Sequence, residues 1–420
     1  MKKLFIAFSL FLISINTYAQ TALYYGVNLA GAEFGSTFPG TYGTDYIYPS
    51  NSVINYYSTK GLKLIRLPIK WERIQPTMNA ALNAAELSRL TAVIDYAQSK
   101  GMQIIPDLHN YCRRNINGSE KLIGSASVSV ANIKDCWTRL AEALKTKTNI
   151  FGYDIMNEPH DMGSTSWFSI AQEIINGIRS TDTTTTIIVS GDSWSSAVRW
   201  MQYSNNLKNL TDISNNLVFQ AHIYFDDDAS GLYDESYDAE GAYPNIGVDR
   251  AKPFVDWLNA NKLRGFVGEY GIPNNDSRWN VVLSNMLTYL KDNCVNGTYW
   301  AGGAWWGDYS LSVQPSSSVD KPQMATLLNF LTVPASNCPL LTSSHDINYD
   351  RVVNVFPNPA TNELFIDGLA AQDHVQIFNL QGQMIQHLLS QQQTIDISAL
   401  PVGMYFICIN SGQNIKFIKN

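Results

Sequence analysis

Between Leu23 and Leu331 the chain alternates, eight times over, between a short apolar run and a longer stretch. The runs fall at 23–30, 62–68, 102–109, 151–157, 186–191, 217–224, 264–270 and 298–304, with Gly or Asn among the residues that bound them. Helical periods are expected at 85–100, 131–147, 166–179, 249–261, 278–293 and 321–331. Short apolar runs separated by helical periods read as βα units around a parallel sheet. Eight such units in roughly 300 residues match a (β/α)8 TIM barrel, so an α/β fold of that kind is expected. A doubly wound open sheet is the competing arrangement. No Gly-x-Gly-x-x-Gly follows any of the runs, so dinucleotide binding has no support.

After Leu331 the texture changes. Residues 336–348 mix Pro, Ser and Asn without a period and read as a linker. Residues 349–420 hold short alternating strands punctuated by Gly and Pro, which predicts a small all-β sandwich after the barrel domain at 20–335. At the other end, Lys2 and Lys3, an apolar run from Leu4 to Ile15 and the small-residue site Thr17-Tyr18-Ala19 read as a signal peptide over 1–19. That run is short for a membrane span, so the mature protein is expected to leave the cytoplasm. Five cysteines suit an oxidising compartment. The expected pairs are Cys112 with Cys136 and Cys294 with Cys338, leaving Cys408 over.

A net charge of −7 argues against a nucleic-acid partner. The 10 Trp and 22 Tyr tilt the reading towards sugars, on whose apolar ring faces aromatic side chains stack. No Cys-x-x-Cys or close His pair suggests a metal site. Asp226 to Asp228 offer oxygen ligands of the kind calcium takes, but three consecutive acids suit a solvated rim, and no metal or cofactor is assigned.

Catalytic groups in a TIM barrel stand at the carboxyl ends of the strands. Arg66 lies at the end of the second run, His109 at the third, Asn157 and Glu158 at the fourth, His222 and Tyr224 at the sixth, Glu269 at the seventh and Trp300 on the eighth. Strands four and seven face each other across an eight-stranded barrel, so Glu158 and Glu269 would share one cleft. Two such carboxylates suit glycoside hydrolysis, with one protonated to release the leaving oxygen and one ionised at the anomeric carbon. Arg66 and Tyr224 are suited to keep Glu269 ionised, and His222 to tune Glu158. Pro159 would stop the strand so that Asn157 and Glu158 point into the cleft.

In order along the chain stand "GVNLAGAEFG", "IRLPIKWERIQP", "DLHNY", "DIMNEPHDM", "HIYFD", "GEYGIP" and "WAGGAWWGDYSLSVQP". This set, across about residues 23–335, resembles the glycoside hydrolase family 5 cellulases, and its opening motif resembles their fungal-type endoglucanase branch. The resemblance implies a retaining β-1,4-glucan hydrolase with Glu158 as acid/base and Glu269 as nucleophile. It implies that Arg66, His109, Asn157, His222 and Tyr224 bind sugar or tune the pair. Trp300, which precedes Ala-Gly-Gly, would be the platform under the scissile sugar, with Trp305 and Trp306 lining the cleft. "VFPNPATNELFI", "VQIFNLQGQMI" and "LPVGMYFICI" followed by "KFIKN" resemble the carboxyl-terminal sorting domains of the Bacteroidetes type IX secretion route. That implies the secretion machinery as a partner, passage through the periplasm, and an enzyme released or held at the cell surface. A carbohydrate-binding sandwich is the alternative, but the segment has no Trp.

The expected whole is a monomeric, secreted endo-β-1,4-glucanase acting on β-glucan without a cofactor. A β-mannanase or another β-glucanase on the same scaffold stays open, because fold and catalytic pair do not set the sugar. A glycan-binding surface protein without turnover is the rival of a different class.

Overall fold

Eight parallel strands close on themselves: β1 (Ala22–Leu29), β2 (Leu64–Ile69), β3 (Gln103–Leu108), β4 (Tyr153–Asp154), β5 (Ile187–Ser190), β6 (Leu217–His222), β7 (Gly265–Glu269) and β8 (Asn296–Gly302). Each pairs with the next, and β8 pairs back onto β1 with Tyr25 opposite Gly297 and Val27 opposite Tyr299. Helices connect most of the strands, so the expected α/β TIM barrel is what the chain forms, and the open-sheet alternative is excluded. The computed structural model describes residues 22–316, 319–334, 338, 354–369, 374–379, 384–389, 393–409 and 413–420. The expected signal peptide at 1–19, and the expected linker at 336–348 apart from Cys338, lie outside the described residues.

The strand period of two builds the interior in layers. Leu64, Ile105, Ile188, Val218 and Phe266 form a closed apolar floor inside the barrel. Two residues further along the same strands stand Arg66, Asp107, Ser190, Gln220 and Gly268, so the next layer up is polar. Gly268 leaves room in it: a Cβ there would lie 2.5 Å from the Gln220 amide and 2.9 Å from His222 Nε2. A register shift between Ala221 and His222 then sets His222 opposite Glu269.

Strand four differs from its expected length. Only Tyr153–Asp154 is regular, yet Phe151 N–H donates to Ile104 O, Ile155 N–H to Ile188 O and Asn157 N–H to Leu108 O. The backbone therefore stays bonded to both neighbours up to Asn157. A helix at Asn51–Thr59 and a hairpin pairing Arg113–Ile116 with Ser119–Leu122 were not expected. The hairpin turns at Asn117-Gly118, both with positive φ, which is a strong local hairpin signal.

Trp71, Trp137, Trp167, Trp200 and Trp279 are fully buried outside the lumen, which corrects the tilt that composition alone placed on sugar stacking. The indole N–H of Trp137 donates to Ile155 O (2.9 Å) and that of Trp167 to Ser190 O (2.7 Å), pinning the helices Val130–Leu144 and Trp167–Arg179 to strand ends that bear the polar groups. Each such ring contributes roughly 4–6 kcal/mol of hydrophobic stabilisation at most. Arg73, buried, donates to the carbonyls of Ala32, Phe34 and Pro39 and lies 3.9 Å from the centre of the Tyr46 ring, so it anchors the loop after β1 rather than facing substrate.

The expected bridge between Cys294 and Cys338 is present. The expected Cys112–Cys136 bridge is not: both residues are buried thiols. Cys136 packs in the core from the helix Val130–Leu144, and Cys112, in the turn after β3, gives its N–H to Met156 Sδ. Burial pushes both thiols up in pKa, which keeps them protonated and unreactive.

The carboxyl-terminal segment holds two antiparallel sheets. One orders Asn354–Phe356, Glu363–Asp367 and Thr394–Asp396; the other orders Met384–Leu389, His374–Asn379, Gly403–Ile409 and Gln413–Lys419. Leu364, Ile366 and Ile395 of the first share one core with Val375, Ile377, Ile407 and Phe417 of the second.

Candidate functional site

Arg66 is the hub at the carboxyl end of the barrel. It is fully buried, and its guanidinium makes four hydrogen bonds and a further ion pair. Nε donates to Asp154 Oδ2 (2.8 Å), Nη1 to Asn28 Oδ1 (2.9 Å) and Glu269 Oε1 (2.9 Å), and Nη2 to Asn157 Oδ1 (2.7 Å), while Nη2 also forms an ion pair with Asp107 Oδ2 at 3.0 Å. The other oxygen of Glu269, Oε2, accepts from Tyr224 Oη at 2.8 Å. A carboxylate flanked by a guanidinium and a phenol O–H accepts on both sides, the pattern of the ionised form. Burial and the neighbouring Glu269 push the Tyr224 phenol far up, so it stays a donor. Gly231, at φ +84°, lies against the Tyr224 ring, and a Cβ there would come within 2.8 Å of it.

Glu158 sits differently. It follows β4 with φ at +44°, a left-handed conformation that is uncommon for a side-chain-bearing residue and tends to mark functional sites. Its Oε1 lies 2.6 Å from His222 Nδ1. Burial pushes the Glu158 carboxyl up to about 8, against the pull of Arg66. Burial also lowers His222 to about 4, so this imidazole is neutral near pH 7 and gives Glu158 no charge-based help in ionising. One oxygen of Glu158, one of Glu269 and one nitrogen of His222 all lie within 4.8 Å of one another. Three such groups could in principle ligate a metal, but Arg66 already holds one oxygen of Glu269 and opposes a second cation there.

His109 completes the floor. Its Nδ1 lies 2.7 Å from Asp107 Oδ2, while Nε2 faces the amide nitrogen of Asn157 (3.3 Å) and the Tyr111 hydroxyl (3.2 Å). Burial pushes His109 well below its usual range, so it is neutral. With Nδ1–H donating to Asp107, Nε2 is left to accept from both partners. The Asn157 amide is then fixed at both ends, and its second N–H has no acceptor among the described residues. Trp300, half-buried, stacks parallel to the His109 ring at 5.5 Å between centroids and meets Trp306 edge-on at 5.7 Å. Trp306 packs in turn on Phe34 and Tyr309. Trp305 is exposed and has no ring contact among the described residues. Thus Arg66, His109, Asn157, Glu158, His222, Tyr224, Glu269 and Trp300 converge, Trp306 joins through Trp300, and Trp305 stands apart.

Beside Glu158 a cavity of about 400 Å³ opens, lined also by His222, Tyr224, Trp194, Arg199 and Leu232. The Trp194 indole is exposed and stacks on His160 at 4.4 Å, carried by a turn in which Ser193, Trp194 and Ser195 all have positive φ.

Residues 24–306 match the cellulase (glycosyl hydrolase family 5) model. The chain belongs to glycoside hydrolase family 5. It is an enzyme of that family, and residues 354–420 match the secretion system C-terminal sorting domain. Over 309 residues the hydrolase is 34% identical to endo-beta-1,4-glucanase B of Aspergillus niger, covering 73% of this chain and 89% of that protein. Endoglucanase Cel5A of Pseudomonas stutzeri in complex with cellobiose superposes with a TM-score of 0.70 at 38% identity, covering 74% of this chain and 95% of that one. An endo-beta-1,4-glucanase from Xanthomonas axonopodis pv. citri gives 0.68 at 36%, covering 73% and 98%.

Sequence reasoning did not single out Asn28, Asp107, Asp154, Gln220 or Trp194 in this family 5 hydrolase. The two aspartates carried a readable signal, since an acid inside a run that must be buried on both faces needs a partner. Trp194 carried none beyond lying after strand five. Asp226, expected on a solvated rim, is instead buried and accepts from Ser230 Oγ and the N–H groups of Gly231 and Leu232, ordering the loop that covers Tyr224.

Proposed function

We propose that this chain is a secreted endo-β-1,4-glucanase that cleaves internal bonds with net retention. The carrying observation is the carboxylate pair: oxygens of Glu158 and Glu269 within 4.8 Å, one group held by Arg66 and Tyr224, the other pushed up to about 8. Oxygens no more than 4.8 Å apart leave no room for a water between attacking carboxylate and sugar, which favours direct attack by the carboxylate.

In this reading Glu269 attacks the anomeric carbon and Glu158 protonates the departing oxygen. Esterification of Glu269 removes the negative charge beside Glu158, which favours the ionised form needed to activate water in the second step. The second N–H of Asn157 binds a sugar hydroxyl beside the reacting carbon, His109 holds that amide, and Trp300 carries the scissile sugar on its exposed face. Trp306 supports Trp300, Trp305 borders the cleft further out, and Trp194 faces the leaving-group side. The relatives' names and the cellobiose complex of the Pseudomonas protein support β-1,4-glucan as substrate. We assign 1–19 to a signal peptide, 20–335 to the catalytic domain, 336–348 to a linker and 349–420 to a sorting domain read by the type IX machinery after passage through the periplasm. The mature enzyme acts as a monomer.

Hydrolysis of carboxymethyl cellulose, lichenan and mannan side by side, with the anomer of the first product from a soluble cellodextrin recorded by NMR, tests this. The β-anomer and a clear preference for glucans are expected. An α-anomer first would overturn retention, and equal rates on mannan would overturn the substrate. Glu269→Gln should lose hydrolysis while still binding cellodextrin, and a variant at the parent's rate would unseat the nucleophile.

A further inference from the structure

We infer that Asp154 is a positioning residue for the nucleophile: its carboxylate fixes the Arg66 guanidinium and so sets how firmly that cation holds Glu269. The inference rests on the reading of Glu269 as nucleophile.

Asp154 touches no substrate. It lies at the floor of the site on β4, fully buried, with Oδ2 accepting from Arg66 Nε (2.8 Å) and Gln220 Nε2 (2.9 Å) and Oδ1 facing Ser190 Oγ at 3.5 Å. Gln220 is itself tied to Ser190 Oγ at 2.8 Å, so strands β4, β5 and β6 together hold the carboxylate still. Arg66 Nε points to this side, while Nη1 and Nη2 bond Asn28, Glu269 and Asn157 and Nη2 pairs with Asp107. Without an acceptor at Nε the planar fork is free to rock, and each of the other four bonds loosens with it.

The charge arrangement gives Asp154 a second effect. Asp107, Asp154 and Glu269 all pair with one guanidinium at 2.8–3.0 Å. The other ionisable groups facing this cluster are neutral His109 and His222, the Tyr111, Tyr224 and Tyr309 phenols, Glu33 and Glu158, with Lys70 close to Asp107. Three acids compete for one cation. Each anion in the set weakens the hold of Arg66 on Glu269 and leaves it a better nucleophile.

Asp154→Asn keeps the shape and an oxygen acceptor for Arg66 while removing the charge. In the purified full chain on a soluble cellodextrin, kcat/KM should fall about tenfold through weaker attack and looser alignment. The acidic limb of its pH profile should move to lower pH by about half a unit, because a carboxylate relieved of a neighbouring anion ionises more readily. Asp154→Ala, which also removes the acceptor, should lose more. A purely structural residue would lower the thermal midpoint and scale activity evenly across pH. An unmoved acidic limb in both variants, or Asp154→Asn with the parent's kcat/KM, overturns the inference. Should Asp154→Asn not fold, Asp154→Ala is the second test, and a kcat/KM in it within threefold of the parent's overturns the inference. If instead the parent itself hydrolyses no β-glucan, the functional reading fails first.

Discussion

Replacing Tyr224 with Phe removes one oxygen and leaves the ring against Gly231 in place. The lost interaction is the 2.8 Å bond from the phenol to Glu269 Oε2, with both residues more than nine-tenths buried. A buried hydrogen bond to a charged acceptor is worth about 1.5–3 kcal/mol. That energy stabilises only the ionised carboxylate, so at about 1.4 kcal/mol per unit its loss moves the acidic limb of kcat/KM up by about one to two pH units. The same energy bears on the second chemical step, in which Glu269 must leave the sugar as an anion. Without the phenol, breakdown of the glycosyl-enzyme should slow by about 10- to 100-fold. The assay is stopped-flow release of an aryl leaving group from an activated aryl β-cellobioside across pH 4–8. The parent is expected to show a small burst or none, and Tyr224→Phe a full burst followed by a slow steady state. An acidic limb that stays in place, together with a steady-state rate within threefold of the parent, would refute the assignment of Tyr224 as a stabiliser of the leaving carboxylate.

Activity should fall on the basic side as pH rises through about 8, where Glu158 loses its proton, and Glu158→Gln assayed on the same aryl substrate should lack that basic limb. Stability should follow the same group. Its carboxyl is raised from 4.5 to about 8 in the folded chain, so between those values the unfolded chain has released a proton that the folded one keeps, and stability falls as pH rises through that window. Glu158→Gln is therefore expected to melt at a higher temperature than the parent, with a gap that widens from about pH 4.5 to 8 and vanishes below it; a gap independent of pH would contradict the burial argument. Breaking the Cys294–Cys338 bridge with Cys294→Ser opens a link spanning 44 positions and should lower unfolding free energy by up to about 4 kcal/mol, read from urea midpoints. Alkylation of the unfolded, unreduced chain should label Cys112 and Cys136, and a peptide linking the two would contradict the fold described above.

The barrel was legible because its signal is local and repeated. A strand buried on both faces must be an apolar run, and a helix on its outer side must carry a 3.6-residue period, so eight repeats of that pair specify one closed sheet. The rim residues were legible for the same reason: Arg66, His109, Asn157, Glu158, His222, Tyr224 and Glu269 each break an apolar run near its carboxyl end. What sequence alone left undetermined depends on distance between strands. Spacing along the chain could not tell that Cys112 and Cys136 stay apart while Cys294 finds Cys338. Nor could it tell that Trp71, Trp137, Trp167, Trp200 and Trp279 are packing rather than platform. The shared guanidinium is the clearest case. Asp107, Asp154 and Glu269 come from three different strands, and only closure of the sheet brings them within 3.0 Å of Arg66. The environments of Glu158 and Glu269 differ because burial and hydrogen-bond donors act over a few ångströms in space. Sequence thus determined which strand ends carry chemistry, and tertiary structure decided which of those groups share a charge, a proton or a face.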